Sequence, residues 1–271
     1  MTLDVTILGC GSSTGVPRIG GADGAGDWGA CDPSNPKNRR RRCSILLRQR
    51  GPGGETAVLI DTAPDLREQL LEARCGRLDA VLITHDHADQ THGLDDLRAV
   101  AYGMRRRVEV YSDRFCLDSL RHKFRYAFET PAGSEYPPIL NAHEIHELKA
   151  LELAGAGGGV PVLPFRQQHG RIHSLGFRLG GLAYSPDVSA LAEDSLAALA
   201  GIEVWILDAL RHAPHPTHAN VATALGWIAR VKPARAVLTN LHLDLDYETL
   251  RRELPPNVEP AYDGMTISLT A

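Results

Sequence analysis

The chain has 271 residues, 43% of them hydrophobic and 23% charged, so it can bury a sizeable core; an α/β fold of this length is commonly one domain, and residues 1–271 are read as a single domain. A formal charge of -4 gives no general attraction towards nucleic acid or an anionic membrane. Five cysteines, odd in number and without zinc-type pairing, suit a reducing cytoplasm better than a disulfide framework. The chain enters a strand-like run at 5–8 without a basic segment and apolar stretch before it, and no apolar run approaches a membrane span, so a cytoplasmic protein is expected.

Short apolar runs bounded by glycine, proline or acids predict strands over 5–8, 44–47, 57–60, 80–83 and 108–111, then over 160–165, 182–184, 204–207, 236–238 and 266–269. Helical spacing predicts helices over 63–73, 95–102, 112–128, 191–199, 217–231 and 247–254. Strands and helices come in mixed order, which predicts a layered α/β fold. The glycine-rich stretches 51–54 and 155–159 are expected to be loops between neighbouring strands. Residues 9–15 follow a strand as a nucleotide-binding loop would, but Pro17 and further glycines stand where its helix should begin, which favours a tight turn. Arg39, Arg40, Arg41 and Arg42 form the most basic point, either a solvated loop face or a contact for substrate phosphate, whose oxygens guanidinium groups match in pairs.

The densest chemistry lies at 84–93. His85, His87 and His92, with Asp86 and Asp89, follow directly on the apolar run 78–83, an expensive arrangement unless the side chains bind something. A divalent metal is the expected occupant. Three more candidate ligands each follow an apolar strand: His169, Asp187 and His242. Loops beyond the carboxyl ends of strands are where layered α/β folds assemble their sites, so these segments are expected to converge. The loop after 204–208 adds His212, His215 and His218, while His122, His143 and His146 lie outside any motif and are read as surface residues.

The pattern His85-x-His87-x-Asp89, then His169, Asp187 and His242, resembles the successive metal motifs of the metallo-β-lactamase superfamily. The strings at 9–17, 164–170, 184–187 and 241–247 look most like PhnP-type phosphodiesterases, the cyclic-phosphate hydrolases of phosphonate breakdown. The resemblance implies a four-layer αββα sandwich forming one hydrolase domain. It implies two divalent metal ions, zinc or manganese, one on His85, His87 and His169 and a second on Asp89 and His242, with Asp187 bridging. It further implies a metal-bound hydroxide attacking a small cyclic or nucleotide-like phosphodiester, with Asp187 and His218 catalytic, His218 serving the leaving oxygen, and Asp61 supporting the ligands from behind. His218 is expected to open a helix capped by Thr217, whose positive end depresses the imidazolium until a phosphate binds.

Where the superfamily usually carries a further histidine, this chain has Gln90, so the second ion is expected to be retained more loosely, with Gln90 as a weak amide ligand. His92 as a substitute is disfavoured, because residues two apart do not share a helix face. Some relatives hold a structural zinc on an N-terminal cysteine cluster; only Cys31 suggests it here, and none is expected. Two other functions share the fold: a tRNA 3′-end endonuclease, argued against by the missing basic arm, and a non-catalytic carrier resembling the pyrroloquinoline quinone B protein, favoured by Gln90. A lactonase or thioesterase uses the same chemistry on a carbonyl. The expected partner is a small phosphate ester rather than nucleic acid or membrane, and a homodimer is left open. Substrate selection falls to 105–140, read either as a loop folding over the site or as a packing helix with a surface loop.

Overall fold

The computed structural model describes residues 2–270. The first sheet contains β1 (Thr2–Gly9), β2 (Ser44–Gly51), β3 (Gly54–Ile60), β4 (Ala80–Leu82), β5 (Val108–Ser112) and β6 (Leu140–Glu144). The second contains β7 (Leu151–Leu153), β8 (Val160–His169), β9 (Ile172–Leu179), β10 (Leu182–Ser185), β11 (Val204–Asp208), β12 (Arg235–Thr239) and β13 (Val258–Pro260), after which β14 (Thr266–Thr270) returns to the first sheet beside β1. The orders are β14-β1-β2-β3-β4-β5-β6 and β13-β12-β11-β10-β9-β8-β7. Within each sheet, antiparallel hairpins give way to a parallel run, β3 to β6 in one and β10 to β13 in the other.

Three apolar clusters define the layers. Alternate residues of both sheets, such as Val5, Leu47, Ile60, Phe177 and Ile206, meet in the middle. The opposite face of the first sheet, with Leu46, Leu59 and Val81, is covered by α1 (Leu66–Glu72), α3 (Leu97–Met104) and α4 (Arg114–Lys123); the four-residue α2 (Ala88–Thr91) and α5 (Arg125–Phe128) flank them. The opposite face of the second, with Trp205, Leu207 and Leu238, is covered by α6 (Glu193–Ala198), α7 (Val221–Val231) and α8 (Tyr247–Glu253). This is the expected αββα sandwich. Because parallel strands are covered on both faces, they read as unbroken apolar runs, and Val204, Trp205, Ile206 and Leu207 are all buried.

The structure adds strands that hydrophobic patterning did not mark. β6 carries Asn141, His143 and Glu144 on an exposed edge, and Gly176 interrupts β9 where a Cβ would lie 2.3 Å from the Phe165 ring. It also moves the start of α7. Asn220, not Thr217, caps the helix, its side chain accepting from Thr223 N at 2.8 Å. Residues 217–219 are held away from helical geometry because Ala219 donates to Val188 O at 2.6 Å and accepts from Leu210 N at 2.9 Å.

Of the four arginines at 39–42, Arg39 is exposed, while Arg40, Arg41 and Arg42 are drawn into the protein by partners of their own. Arg40 is 2% exposed and donates to Leu245 O at 2.7 Å, His242 O at 3.2 Å and Asn38 Oδ1 at 3.1 Å. Arg41 pairs with Asp263 and Glu72, Arg42 with Asp65, and Arg39 lies over the Trp28 ring. Arg40 therefore clamps the N-terminal loops to the loop carrying His242. Arg40→Met is expected to cost about 1–3 kcal/mol for each carbonyl left dry and unpaired, read as a loss of stability in urea denaturation. Among the described residues, no helix is long and apolar enough to cross a membrane.

Candidate metal centre

The site sits where the parallel runs of the two sheets end. After β3 the chain turns sharply at Asp61, whose φ is 65°, and its buried carboxylate accepts from Thr84 N at 2.8 Å and Thr84 Oγ1 at 3.0 Å. The loop after β4 is pressed against this turn by Gly93, which donates to Thr62 O at 2.9 Å and where a Cβ would lie 2.1 Å from Ala63 O. Thr84 has one hydroxyl proton, and the Asp61 carboxylate takes it. The 3.0 Å contact to His85 Nδ1 is therefore an N–H donated to Thr84, which leaves His85 Nε2 as a bare lone pair. That atom is buried and has no hydrogen-bond partner.

His169, at the end of β8, is oriented in the same way. Its Nδ1 donates to Thr217 O at 2.7 Å, freeing Nε2, which lies 3.3 Å from His87 Nδ1. The rings of His85, His87 and His169 are 4.5 to 5.0 Å apart, and one ring nitrogen from each falls within 4.8 Å of the others. Burial, then His169 and His87, holds the His85 imidazole well below its usual pKa; burial, then His218, pulls His169 down to about 4. Both are neutral at pH 7, as metal ligation requires. Three convergent lone pairs with an orphaned nitrogen among them fit a divalent cation, and an all-imidazole set suits zinc or another first-row ion. His87 is exposed, which leaves the centre open on one side.

Asp187, beyond β10, is 2% exposed, with Oδ1 at 3.9 Å from His169 Nε2 and 3.8 Å from His218 Nδ1. Burial raises its carboxyl well above the usual range, and Asp89 and Asp208 add to this against the pull of His218; a cation beside it would relieve that cost. Asp187, His169 and His218 form a second group of three whose ligand atoms lie within 4.8 Å of one another.

His218 is not depressed by a helix end, since α7 begins three residues later. Its Nδ1 is 2.9 Å from Asp208 Oδ2 at the end of β11. Burial pulls its pKa down, but the Asp208 hydrogen bond and the charges of Asp208, Asp187 and Asp89 outweigh this and push it up to about 9. This pairing with a buried carboxylate favours the imidazolium form of His218.

The remaining candidates divide. Asp89 and Asp187 are brought together through Gln90, which is fully buried and whose Nε2 is 3.4 Å from Asp89 Oδ2 and 3.2 Å from Asp187 Oδ2. His242 joins neither ligand group among the described residues; its Nδ1 lies 3.0 Å from Asp244 Oδ2 instead. His92 packs against Phe124. His212 pairs with Glu253 on the surface, and His122, His143 and His146 are exposed.

Three residues of the site were not anticipated: Thr84, Asp208 and Asn240. Asn240, with a φ of 61°, donates to Pro186 O at 2.9 Å and lies 3.4 Å from Asp187 Oδ1. Each follows or ends an apolar strand run, as Asp61 does. From 105–140, α4 reaches the site loop through Lys123, which donates to Asp86 O at 2.6 Å, while its cap Asp113 lies 2.6 Å from His173 Nε2 on β9.

Comparison with known proteins agrees with this geometry. The beta-lactamase superfamily domain matches residues 56–240. A crystal structure of a diphosphatase from the PhnP family is 34% identical with a TM-score of 0.87, covering 99% of this chain and 98% of that one. Zinc-bound PqqB from Methylobacterium extorquens has a TM-score of 0.74 at 20% identity, covering 98% of this chain and 100% of that one; the short form of human tRNase Z has 0.65 at 19%, covering 99% and 100%. An octanoyltransferase of Porphyromonas gingivalis is 33% identical over 264 residues, 96% of this chain; the chain spans about half the length of that relative, 50%. With three imidazoles converging at the strand ends of such a sandwich, the chain belongs to the metallo-β-lactamase-fold hydrolases and, within them, to the PhnP family.

Proposed function

We propose that the protein is a metal-dependent phosphodiesterase acting on a small cyclic or nucleotide-like phosphodiester. The observation that carries this reading is the unpartnered, buried Nε2 of His85 beside His87 and His169, with His218 on the far side of Asp187. His85, His87 and His169 would hold a divalent ion, which supplies a water acidified towards neutral pH and charge neutralisation on the phosphate oxygens. Asp187, between His169 and His218, would orient the attacking water. His218 would give its proton to the leaving oxygen, and Asp208, bound to its other nitrogen, would keep the ring aimed and charged. The exposed side of His87 admits the substrate.

The name of the diphosphatase relative supports attack at phosphorus, and that of the octanoyltransferase relative supplies the contrasting carbonyl substrate. The test incubates zinc- or manganese-loaded protein with bis-p-nitrophenyl phosphate, a cyclic ribose phosphate, a nucleoside diphosphate ester, a precursor tRNA, a homoserine lactone and an octanoyl thioester. Turnover of the small phosphodiesters above the rest is expected. Preference for the precursor tRNA, lactone or thioester would overturn the reading. Failure to turn over any of them, with tight binding of a cofactor-like ligand, would point to a carrier.

A further inference from the structure

We infer that this chain holds one divalent ion rather than two, and that the carboxamide of Gln90 occupies the place of the second. A second ion needs Asp89 and Asp187 to offer carboxylate oxygens to a common point with a further donor facing them. Here that point is taken by an N–H donor: Gln90 Nε2 lies 3.2 Å from Asp187 Oδ2 and 3.4 Å from Asp89 Oδ2. An amide nitrogen directs two hydrogens at the lone pairs a cation would use, so the two occupants exclude each other.

The alternative amide orientation is worse without an ion. It would set Oε1 against two carboxylate oxygens with no proton between them, whereas the present one leaves Oε1 buried and unpaired, the lesser cost. The backbone beneath the amide is also held in place. Gln90 is fully buried, and its backbone is pinned by donation from Thr62 N to Gln90 O at 2.8 Å and from Gln90 N to His87 O at 3.1 Å.

The donor expected to complete a second site stands apart from both ligand groups among the described residues. The His242 peptide is fixed from both sides, by Arg40 on its carbonyl and by Leu210 O on its N–H at 2.9 Å. Its Nδ1, near Asp244, is buried and has no hydrogen-bond partner. The expectation of a looser second ion thus becomes a neutral amide that binds both carboxylates through partial positive charge. Asp187 Oδ1, turned towards His169 and His218, stays available to the single ion.

This inference rests on the metal-centre reading, and counting ions separates the two. Metal-stripped full-length wild type, Gln90→His and Gln90→Glu are titrated with Zn²⁺ and with Mn²⁺ by calorimetry, and metal per chain is measured by mass spectrometry after gel filtration, with circular dichroism to confirm folding. Wild type is expected to saturate at one ion per chain. Gln90→His and Gln90→Glu are expected to gain a second binding step and to retain two. Two ions retained by wild type, or a folded Gln90→His that stays at one, would overturn the inference while leaving the metal centre in place. No ion bound by wild type would overturn both. Should the variants fail to fold, the wild-type count alone decides.

Discussion

Replacing His85 with alanine is expected to remove the tightly held ion and to lower phosphodiester turnover by about 10³-fold or more, the factor that corresponds to losing several kcal/mol of charge stabilisation at phosphorus. The size follows from how completely the sequence around His85 is committed to freeing one lone pair. Asp61 accepts a hydrogen bond from Thr84 Oγ1, Thr84 accepts one from His85 Nδ1, and Nε2 is left buried and without a partner. An alanine leaves two imidazoles that cannot close the site alone. Thr84→Val is the graded control: it keeps the ligand but loses the tautomer lock, and a loss of about 10–100-fold in metal affinity is expected. Metal content after dialysis, measured alongside turnover, separates lost ion from lost chemistry. A His85→Ala protein that keeps its ion and its rate would remove His85 from the centre.

The second large effect concerns His218. His218→Ala is expected to lower kcat by about 10²–10⁴-fold while leaving metal content and KM close to wild type, because a proton donor acts at the leaving oxygen and not in binding. The pH profile carries its signature. An acid works only while protonated, so activity falls as pH rises through its pKa, and the Asp208 hydrogen bond and the neighbouring carboxylates push that value up to about 9 in the metal-free protein. A bound cation repels the imidazolium, so in the loaded enzyme the alkaline limb sits at or below this point. Asp208→Asn removes the charge that raises it and is expected to move the alkaline limb to lower pH, with the ring still in place. An unmoved limb in a folded Asp208→Asn protein would make His218 a structural histidine.

Much of this architecture is legible in the chain. The apolar runs before Asp61, Thr84, Asp187 and Asn240 are strands of the two sheets, and the switch from strand to functional loop falls where the polar residue appears; His169 instead ends the antiparallel β8, which already carries Arg166, Gln167 and Gln168. The switch works because parallel strands buried on both faces leave no room for polar side chains until the strand ends. Edge strands such as β6 escape the same reading, since one polar face is all an edge needs. The site residues that were missed share a property: Thr84, Asp208 and Asn240 act on other side chains, and spacing marks a ligand more readily than it marks what the ligand leans on. His218 illustrates the limit in the other direction. Thr217 offers a cap, but pairing of Ala219 with Val188 and Leu210 keeps the segment out of the helix, and only tertiary contact reverses the direction of the imidazole's shift. Arg40 and Arg41 mislead for a similar reason, because His242 O and the Asp263 carboxylate lie far along the chain, 202 and 222 residues away.

Gln90 changes the chemistry that these elements can perform. With an amide between Asp89 and Asp187, the leaving group depends more heavily on His218, and loss of that ring should cost more here than where a second cation shares the task. Comparing His218→Ala in the wild-type and Gln90→His backgrounds measures this dependence as a coupling between the two positions.

The most direct measurement is the steady-state hydrolysis of bis-p-nitrophenyl phosphate by the stripped protein, followed by stepwise return of Zn²⁺ or Mn²⁺. Turnover should be absent after chelation and return in proportion to the ion bound, reaching its plateau as His85, His87 and His169 fill. A folded, metal-saturated protein that hydrolyses no phosphodiester, or one whose rate is indifferent to chelation, would contradict it.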